Sequence, residues 1–374
     1  MTQLNIGICG GGVGGFCAAI ALARFGHDVT VFEQAPEFRR IGADVNLTPN
    51  AVKCLDGLGV GDRLRETAAR PAFRISRTWD TGEETSRLPM SEAAAETYGA
   101  PQLTIHRGDL LRALEDMVEP QRIRLDSHVE GVAMQDGKPQ VVLASGEQVG
   151  FDVVIGADGI HSAVREALFG PDDPEFTGLV SYRAVVPTHA VDVPNLDCFT
   201  KWWGPTPDIQ VVTFPLLRGE ETFVFATTSQ SDWTEEGWTV AGDVEELRRV
   251  YAGFHPDVRA LLAACQSVTK SALYVREPLE RWNSGPVTIL GDAAHPMVPF
   301  MAQGACMAIE DAIVLARALE KAGPADVEDG LARYAAARQA RTARVQENSR
   351  ANTWLKSAGN ADWVYGYDAW NVPI

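Results

Sequence analysis

Gly10-Gly-Gly-Val-Gly-Gly15 lies between the apolar run Leu4-Asn-Ile-Gly-Ile-Cys9 and the small-residue stretch Phe16-Cys-Ala-Ala-Ile-Ala-Leu-Ala-Arg24. Gly10, Gly12 and Gly15 carry the G-x-G-x-x-G spacing between a buried strand and a helix. The first glycine permits a tight turn, the second lets a pyrophosphate approach the backbone, and the third lets helix pack on strand. A second run, Asp28-Val-Thr-Val-Phe-Glu33, ends in an acid placed to accept hydrogen bonds from ribose hydroxyls and to repel a 2′-phosphate. A glycine cluster alone makes ordinary turns. Strand, glycines, helix, strand and terminal acid in that order point to a dinucleotide, held by Gly10, Gly12, Val13, Gly14, Gly15 and Glu33.

Far along the chain, Gly291-Asp-Ala-Ala-His-Pro-Met-Val-Pro-Phe-Met-Ala-Gln-Gly-Ala-Cys-Met-Ala-Ile-Glu-Asp311 follows the apolar run Pro286-Val-Thr-Ile-Leu290. It reads as strand, loop and helix. Asp292 closes the strand, and a glycine-rich helix entrance offers bare backbone N–H groups to the same ligand. A chain with such a site near each end holds one long cofactor between them. Between these sites, Asp152-Val-Val-Ile-Gly-Ala-Asp-Gly-Ile-His-Ser-Ala-Val-Arg165 is again a buried strand, the pair Asp158-Gly159 and a helix. An Asp-Gly turn with a capping serine would explain it alone; the two flanking sites favour function. Ile105-His-Arg-Gly-Asp-Leu-Leu-Arg-Ala-Leu114 turns from strand to helix, with Asp109 near the helix N-terminus. Arg107 there either reaches a pyrophosphate or caps a surface turn. Arg40, in the loop before the helical stretch 51–58, is equally suited to phosphate or to solvent.

The 374 residues allow two domains, or one large domain with an inserted layer. A formal net charge of −17 opposes nucleic acid or an anionic membrane surface as partner, though not an anionic small molecule bound by a local cation. Cysteines 9, 17, 54, 198, 265 and 306 show no paired spacing, so neither a disulfide framework nor a metal site is expected. No leader pattern and no apolar run of membrane-spanning length is present, so a cytoplasmic protein is expected.

The three motifs together resemble the FAD-dependent aromatic hydroxylases of the p-hydroxybenzoate and salicylate hydroxylase type. The resemblance implies an α/β, Rossmann-like FAD-binding fold with an interleaved antiparallel-sheet substrate layer and C-terminal helices. It assigns Gly10–Gly15 and Glu33 to the adenosine half of FAD, and Asp158 and Gly159 to the pyrophosphate region. Asp292 goes to the ribityl chain, and Pro299, Gly304 and Ala305 to the isoalloxazine. Arg107 matches a further FAD contact. It also implies NADH or NADPH as co-substrate, docking without a second glycine fingerprint. Dioxygen would form a flavin C4a-hydroperoxide that hydroxylates a ring activated by an ortho or para hydroxyl or amino group.

Residues 173–280 carry no nucleotide motif. Gly178-Leu-Val-Ser-Tyr-Arg-Ala-Val-Val186, Asp208-Ile-Gln-Val-Val-Thr-Phe214 and Thr222-Phe-Val-Phe-Ala-Thr-Thr228 alternate apolar and polar residues, as antiparallel strands do. Arg183 or Lys201 could hold a substrate carboxylate or lie solvated at an edge. Gln210 is a further polar candidate. Within the family, Lys201-Trp-Trp203, His295-Pro-Met297, the Met301–Ala312 stretch, Ala351-Asn-Thr-Trp-Leu355 and Trp363-Val-Tyr-Gly-Tyr-Asp368 resemble the 6-hydroxynicotinate 3-monooxygenases. That subgroup's pocket is rich in histidine, cysteine and tyrosine. In this register the chain has Asn46, Phe199, Asp208, Val212 and Phe300 instead, which favours a benzene ring over a pyridine. Asp208 is the candidate to contact a substrate hydroxyl or amino group, or else a turn acid after Pro205-Thr-Pro207. Pro299 joins it as a catalytic candidate through the place at the flavin loop that the resemblance implies.

The domain division expected is 1–76, 104–172 and 281–325 for FAD, 77–103 and 173–280 for substrate, and 326–374 for a helix and tail. Helices are expected from Gly304 to Lys321 and from Val327 to about Lys356. Arg338, Arg341 and Arg344 should lie on a solvated face, and the aromatic tail should pack on the body or on a second subunit. The chain thus reads as a monomeric or homodimeric monooxygenase of a para-hydroxylated aromatic acid, such as 3-amino-4-hydroxybenzoate with its carboxylate kept. The alternatives are a decarboxylative hydroxylase of 6-hydroxynicotinate or salicylate type, and a flavin reductase or dehydrogenase without oxygen insertion.

Overall fold

A computed structural model of the chain describes residues 3–38, 44–235, 237, 240–356 and 361–374. Its first sheet has six strands in the order Asn283–Ser284, Val287–Ile289, Val153–Gly156, Asn5–Cys9, Asp28–Phe32, Ile123–Arg124. All neighbours run parallel except the first pair. Its central strands read as unbroken apolar runs because both faces are covered, as parallel sheets require. The helix Val13–Arg24, buried along almost its whole length, packs against the helix Gly304–Leu319. The two ends of the sequence are thereby brought together, and all three motifs lie at the carboxyl ends of neighbouring strands.

The second sheet has eight strands: Val240–Ala241, Thr269–Val275, Glu175–Pro187, Glu221–Ser229, Gln210–Leu216, Phe199–Trp203, Phe73–Thr78 and Glu84–Pro89. Only the pairing of Phe199–Trp203 with Phe73–Thr78 is parallel. The expected boundary at residues 76/77 falls inside the strand Phe73–Thr78, which pairs in this sheet from Phe73 onward. The sheet's two faces are sorted by residue parity. Tyr182, Trp202, Val211, Val224 and Ala226 pack on the helices Val244–Val250 and Pro256–Ala264. By register, Arg183, Phe225, Val212, Lys201 and Ser76 line up across the opposite face, which meets the flavin-side loop at Phe300.

The long helix spans Val327–Ala351, shorter than expected because Asn352 turns into the left-handed region at φ 46°. It packs on the helix Gly304–Leu319. The arginine expectation holds for Arg344, which is exposed, and fails for the other two. Arg338 is fully buried, pairing with Glu310 and Asp311 at 2.7 Å each, and Arg341 binds Glu310 at 2.8 Å. The tail packs on the body: Val364, Tyr365 and Ala369 are fully buried. Arg341 donates to the carbonyls of Trp363 and Val364, and Arg317 to those of Ala369 and Val372. All six cysteines are free and buried. Among the described residues, no group could hold a metal ion and no helix is long and apolar enough to cross a membrane.

Candidate active site

The glycine loop is built as its spacing requires. Gly10 takes φ +110°, and a Cβ there would fall 2.3 Å from the Ala157 carbonyl oxygen. A Cβ at Gly15 would lie 2.0 Å from the Gly10 oxygen, whereas one at Gly12 would meet nothing within 4 Å. Gly10 and Gly15 are therefore glycine for packing, and Gly12 for space beside the helix. Gly12 is also the N-cap of Val13–Arg24 and makes no side-chain cap bond, so the helix's first N–H groups remain available to an anion. Glu33 accepts hydrogen bonds from the N–H groups of Gly11 and Ala35, at 2.8 Å each. This fixes its carboxylate beside the loop. Arg40 lies outside the described residues.

The second and third motifs are tied together by a residue whose role sequence reading missed. Asp158 accepts from the Ser162 hydroxyl and from the N–H of Val164, so its carboxylate is committed to shaping its own turn. Gly159 takes φ +80° in that turn. Buried Arg165, four residues on from His161, donates to the carbonyls of Ala293 and Ala294 and to Asp172. It clamps the Asp158-Gly159 motif to the Gly291-Asp292 motif.

Asp292 and Arg107 are both exposed, and they sense one another electrostatically. Surrounding protein pushes the Asp292 carboxyl up, opposed by the charges of His295 and Arg107. With Ile160, His161, Tyr274, Pro296 and Met297, Asp292 lines a cavity. Beneath it lies Asp311, fully buried, which accepts from the Gly291 N–H at 3.0 Å, from His295 at 2.5 Å and from Arg338 at 2.7 Å. Burial alone would raise the Asp311 carboxyl; the His295 and Arg338 charges outweigh it and bring it down to about 2.

Exposed Pro299 opens a short turn through buried Phe300, and Ala302 follows at φ 56°. Gln303 pins this loop, donating to Thr48 and accepting from Asn50 at 3.1 Å. Asn50 also donates to Glu310 at 2.7 Å. Half-buried Gly304 and Ala305 begin the helix, again with no side-chain cap.

These features fit FAD: an open approach at Gly12, uncapped helix starts at Val13 and Gly304, a ribose-acceptor acid, and the exposed Arg107 and Asp292 within electrostatic reach of one another. Bound there, FAD would supply electron transfer and oxygen activation. The residues named would hold it.

Facing that loop, the second sheet presents Phe199, Lys201, Gln210 and Val212 on one side, as their common parity requires. Phe300 lies with Leu273, Val275 and Val298, and 5.8 Å from the Lys201 ammonium. Asn46 is buried in the short strand Val45–Leu47; its oxygen accepts from Gln102 while its amide nitrogen finds no partner among the described residues. Arg183 donates to Ser271 and lies 5.5 Å from the Phe225 ring centroid. Its charge is felt by Asp44, whose carboxyl burial raises to about 6 against the pull of Arg183 and His106. Asp208 lies on the turn before Gln210, where its carboxylate accepts from Ser229 at 3.1 Å. That turn-acid geometry is the plainer of the two readings given above for it.

A family model for the FAD binding domain matches residues 3–349. The 6-hydroxynicotinate 3-monooxygenase of Pseudomonas fluorescens is 37% identical over 99% of this chain and 96% of its own. The chain belongs to the FAD-dependent aromatic hydroxylases. This hydroxylase is also 38% identical to the 6-hydroxynicotinate 3-monooxygenase of Bordetella bronchiseptica, over 99% of this chain and 97% of that one. A 3-amino-4-hydroxybenzoate 2-monooxygenase of Streptomyces platensis is 37% identical over 92% of this chain and 87% of its own. Among solved structures, a salicylate hydroxylase substrate complex superposes with a TM-score of 0.85 at 26% identity, covering 98% of this chain and 96% of that one. FAD is the cofactor and NADH or NADPH the reductant in this family. The expected fold is therefore present.

Proposed function

We propose that this hydroxylase acts on a small aromatic acid bearing a ring hydroxyl, and places oxygen on the ring carbon that carries the carboxylate, with release of carbon dioxide. The observation that supports this is the extent of similarity to the two 6-hydroxynicotinate 3-monooxygenases, which runs through nearly all of both chains. Nicotinate carries its carboxylate on the carbon those names specify, so oxygen inserted there must displace it. Whole-chain similarity thus favours the decarboxylative alternative over the carboxylate-retaining reaction ranked first from sequence. In the reaction the ring hydroxyl loses its proton and the ring electron pair forms the new C–O bond to one atom of dioxygen, while the O–O bond breaks and the other atom leaves as water at the expense of two electrons from NADH or NADPH. The C–C bond to the carboxylate then breaks, its electrons restore aromaticity, and CO2 departs.

The chain's own part is to bind, orient and dry the ring. Phe300 and the sheet residues Phe199 and Val212 form an apolar wall that excludes water from the reacting carbon. That same wall supports a second reading, hydroxylation of an aminohydroxybenzoate with the carboxylate kept, since it offers a ring nitrogen no polar partner. One experiment separates the readings. The FAD-loaded enzyme is given NADH or NADPH with 6-hydroxynicotinate, 4-hydroxybenzoate or 3-amino-4-hydroxybenzoate, and product and CO2 are measured. Stoichiometric CO2 with a hydroxylated product supports the lead reading, and product without CO2 selects the second. Reductant oxidation without any product across the panel refutes both and leaves a flavin reductase.

A further inference from the structure

On the flavin-facing side of the second sheet, two buried cations stand without a carboxylate partner among the described residues. Lys201, 3% exposed, donates to the Asn352 side-chain oxygen at 2.8 Å and sits 3.6 Å from the Trp203 ring centroid. Arg74, 4% exposed and two residues along the adjoining strand from Ser76, the partner of Lys201, reaches among the described residues only the Tyr365 hydroxyl, at 3.4 Å, and the Phe199 ring at 4.5 Å. Lys356, which is exposed, adds a third cation 5.4 Å from the centroid of the same Trp203 ring. Burial and the charges of Arg74 and Lys356 hold the Lys201 ammonium well below its ordinary range. Uncompensated buried charge is costly, and proteins pair it or neutralise it.

The neutral donors around the same spot are unanswered too. Gln210, 1% exposed and paired with Trp203 across the strands, accepts from Asn352, while among the described residues its amide nitrogen has no partner; neither has the buried indole N–H of Trp203. Ammonium, guanidinium, amide and indole are all donors. What is missing is an acceptor with several lone pairs. Arg183 is less suited to supply the cation, because its charge already faces Asp44.

We propose that Lys201, positioned by Asn352 and assisted by Arg74 and Gln210, binds the carboxylate of the aromatic acid and so makes the enzyme selective for acids over neutral phenols. This rests on the reading of the substrate as an aromatic acid, and assigns the group that recognises it. Asn352 is a positioning residue. It caps the long helix, donates to the Pro207 carbonyl and holds the ammonium, so helix, sheet and anion site share one side chain.

The test uses the FAD-loaded enzyme and two unreactive probes, benzoate and benzamide, titrated through the perturbation of the flavin absorbance. Wild type should bind benzoate more tightly than benzamide. Lys201→Met should weaken benzoate by ~30-fold, the scale of a lost charge-assisted hydrogen bond, and leave benzamide within about 2-fold. Lys201→Arg should recover part of the benzoate affinity. Equal affinity of wild type for the two probes, or equal weakening of both in Lys201→Met, overturns the proposal. So does a variant that loses kcat while benzoate binding stays unchanged, since Lys201 would then act on the reaction and not on the anion. If Lys201→Met does not retain FAD, the benzoate-to-benzamide ratio in Arg74→Met and Lys201→Arg decides by the same criterion. Failure of the functional reading is seen separately: the probes would still discriminate, while no ring in the substrate panel would be hydroxylated.

Discussion

Replacing Asp311 by Asn tests whether the buried ion network beneath the flavin-side loop is a main support of the fold. Asp311 is fully buried, and its carboxyl is brought from an ordinary value of about 3.9 down to about 2. At about 1.4 kcal/mol per pKa unit, that difference is worth on the order of 2.5 kcal/mol at neutral pH. The substitution also leaves His295 and Arg338 short of a counter-charge. Arg338 keeps Glu310, so the loss should stay near the lower end of the ~3–5 kcal/mol that follows breaking a buried pair. The sign is fixed by linkage: a depressed carboxyl stabilises the fold above its unfolded pKa and ceases to do so as pH falls through the folded one. The deficit of Asp311→Asn should therefore be constant from pH 8 to pH 5 and narrow only below about pH 4. Urea unfolding of the FAD-loaded protein, followed by tryptophan fluorescence at several pH values, measures it. A deficit below about 1 kcal/mol at pH 7, or one that grows on acidification, would refute the reasoning.

Gly12→Ala should leave the melting temperature of the FAD-free protein unchanged but weaken FAD by at least ~10-fold, because its methyl meets no protein atom and enters the pyrophosphate approach. Gly15→Ala should instead yield little folded protein, since its methyl meets the Gly10 carbonyl. Flavin fluorescence quenching and thermal melts read the contrast. Asp44 has a raised folded pKa of about 6, so its ionisation costs stability as pH rises from about 4 through 6. Asp44→Asn should accordingly gain on wild type in thermal melts at pH 7.5 and match it at pH 4. Phe300→His should shift kcat/KM toward 6-hydroxynicotinate relative to 4-hydroxybenzoate, by supplying a polar partner to the ring nitrogen; an unchanged ratio in steady-state assays would remove the apolar-wall argument.

What the sequence made legible was local. The glycine loop, Glu33, Asp158-Gly159 and Asp292 each sit within a strand-turn-helix unit, and there the chemistry of turn and helix start is written in consecutive residues. The shared parity of Gln210 and Val212 was likewise readable in the run 208–214, because side chains alternate with period two, whereas the strand Phe199–Trp203 was not among those read. The boundary near residue 76 was not readable. The strand Phe73–Thr78 earns its place by a parallel pairing with Phe199–Trp203, more than a hundred residues later, and no local pattern announces such a partner.

The arginine helix shows why the rest was hidden. Arg338 and Arg341 have the spacing of a solvated face, and an isolated helix gives no reason to bury them. Their burial is decided by Glu310 and Asp311 on the preceding helix, which are held in turn by Asn50, His295 and the backbone of Gly291. The acids had been read as the end of a flavin motif. They are better understood as the other half of the arginines' sites: a carboxylate at the inner side of a cofactor loop can remain ionised only if cations reach it, and a cation-bearing helix and its tail must then pack there. On this argument the tail belongs to the flavin site energetically, although it contributes no residue to the motifs. The Arg341 bonds to Trp363 and Val364, and its ring contact with Tyr367 at 3.8 Å, are the joints through which its loss would be felt.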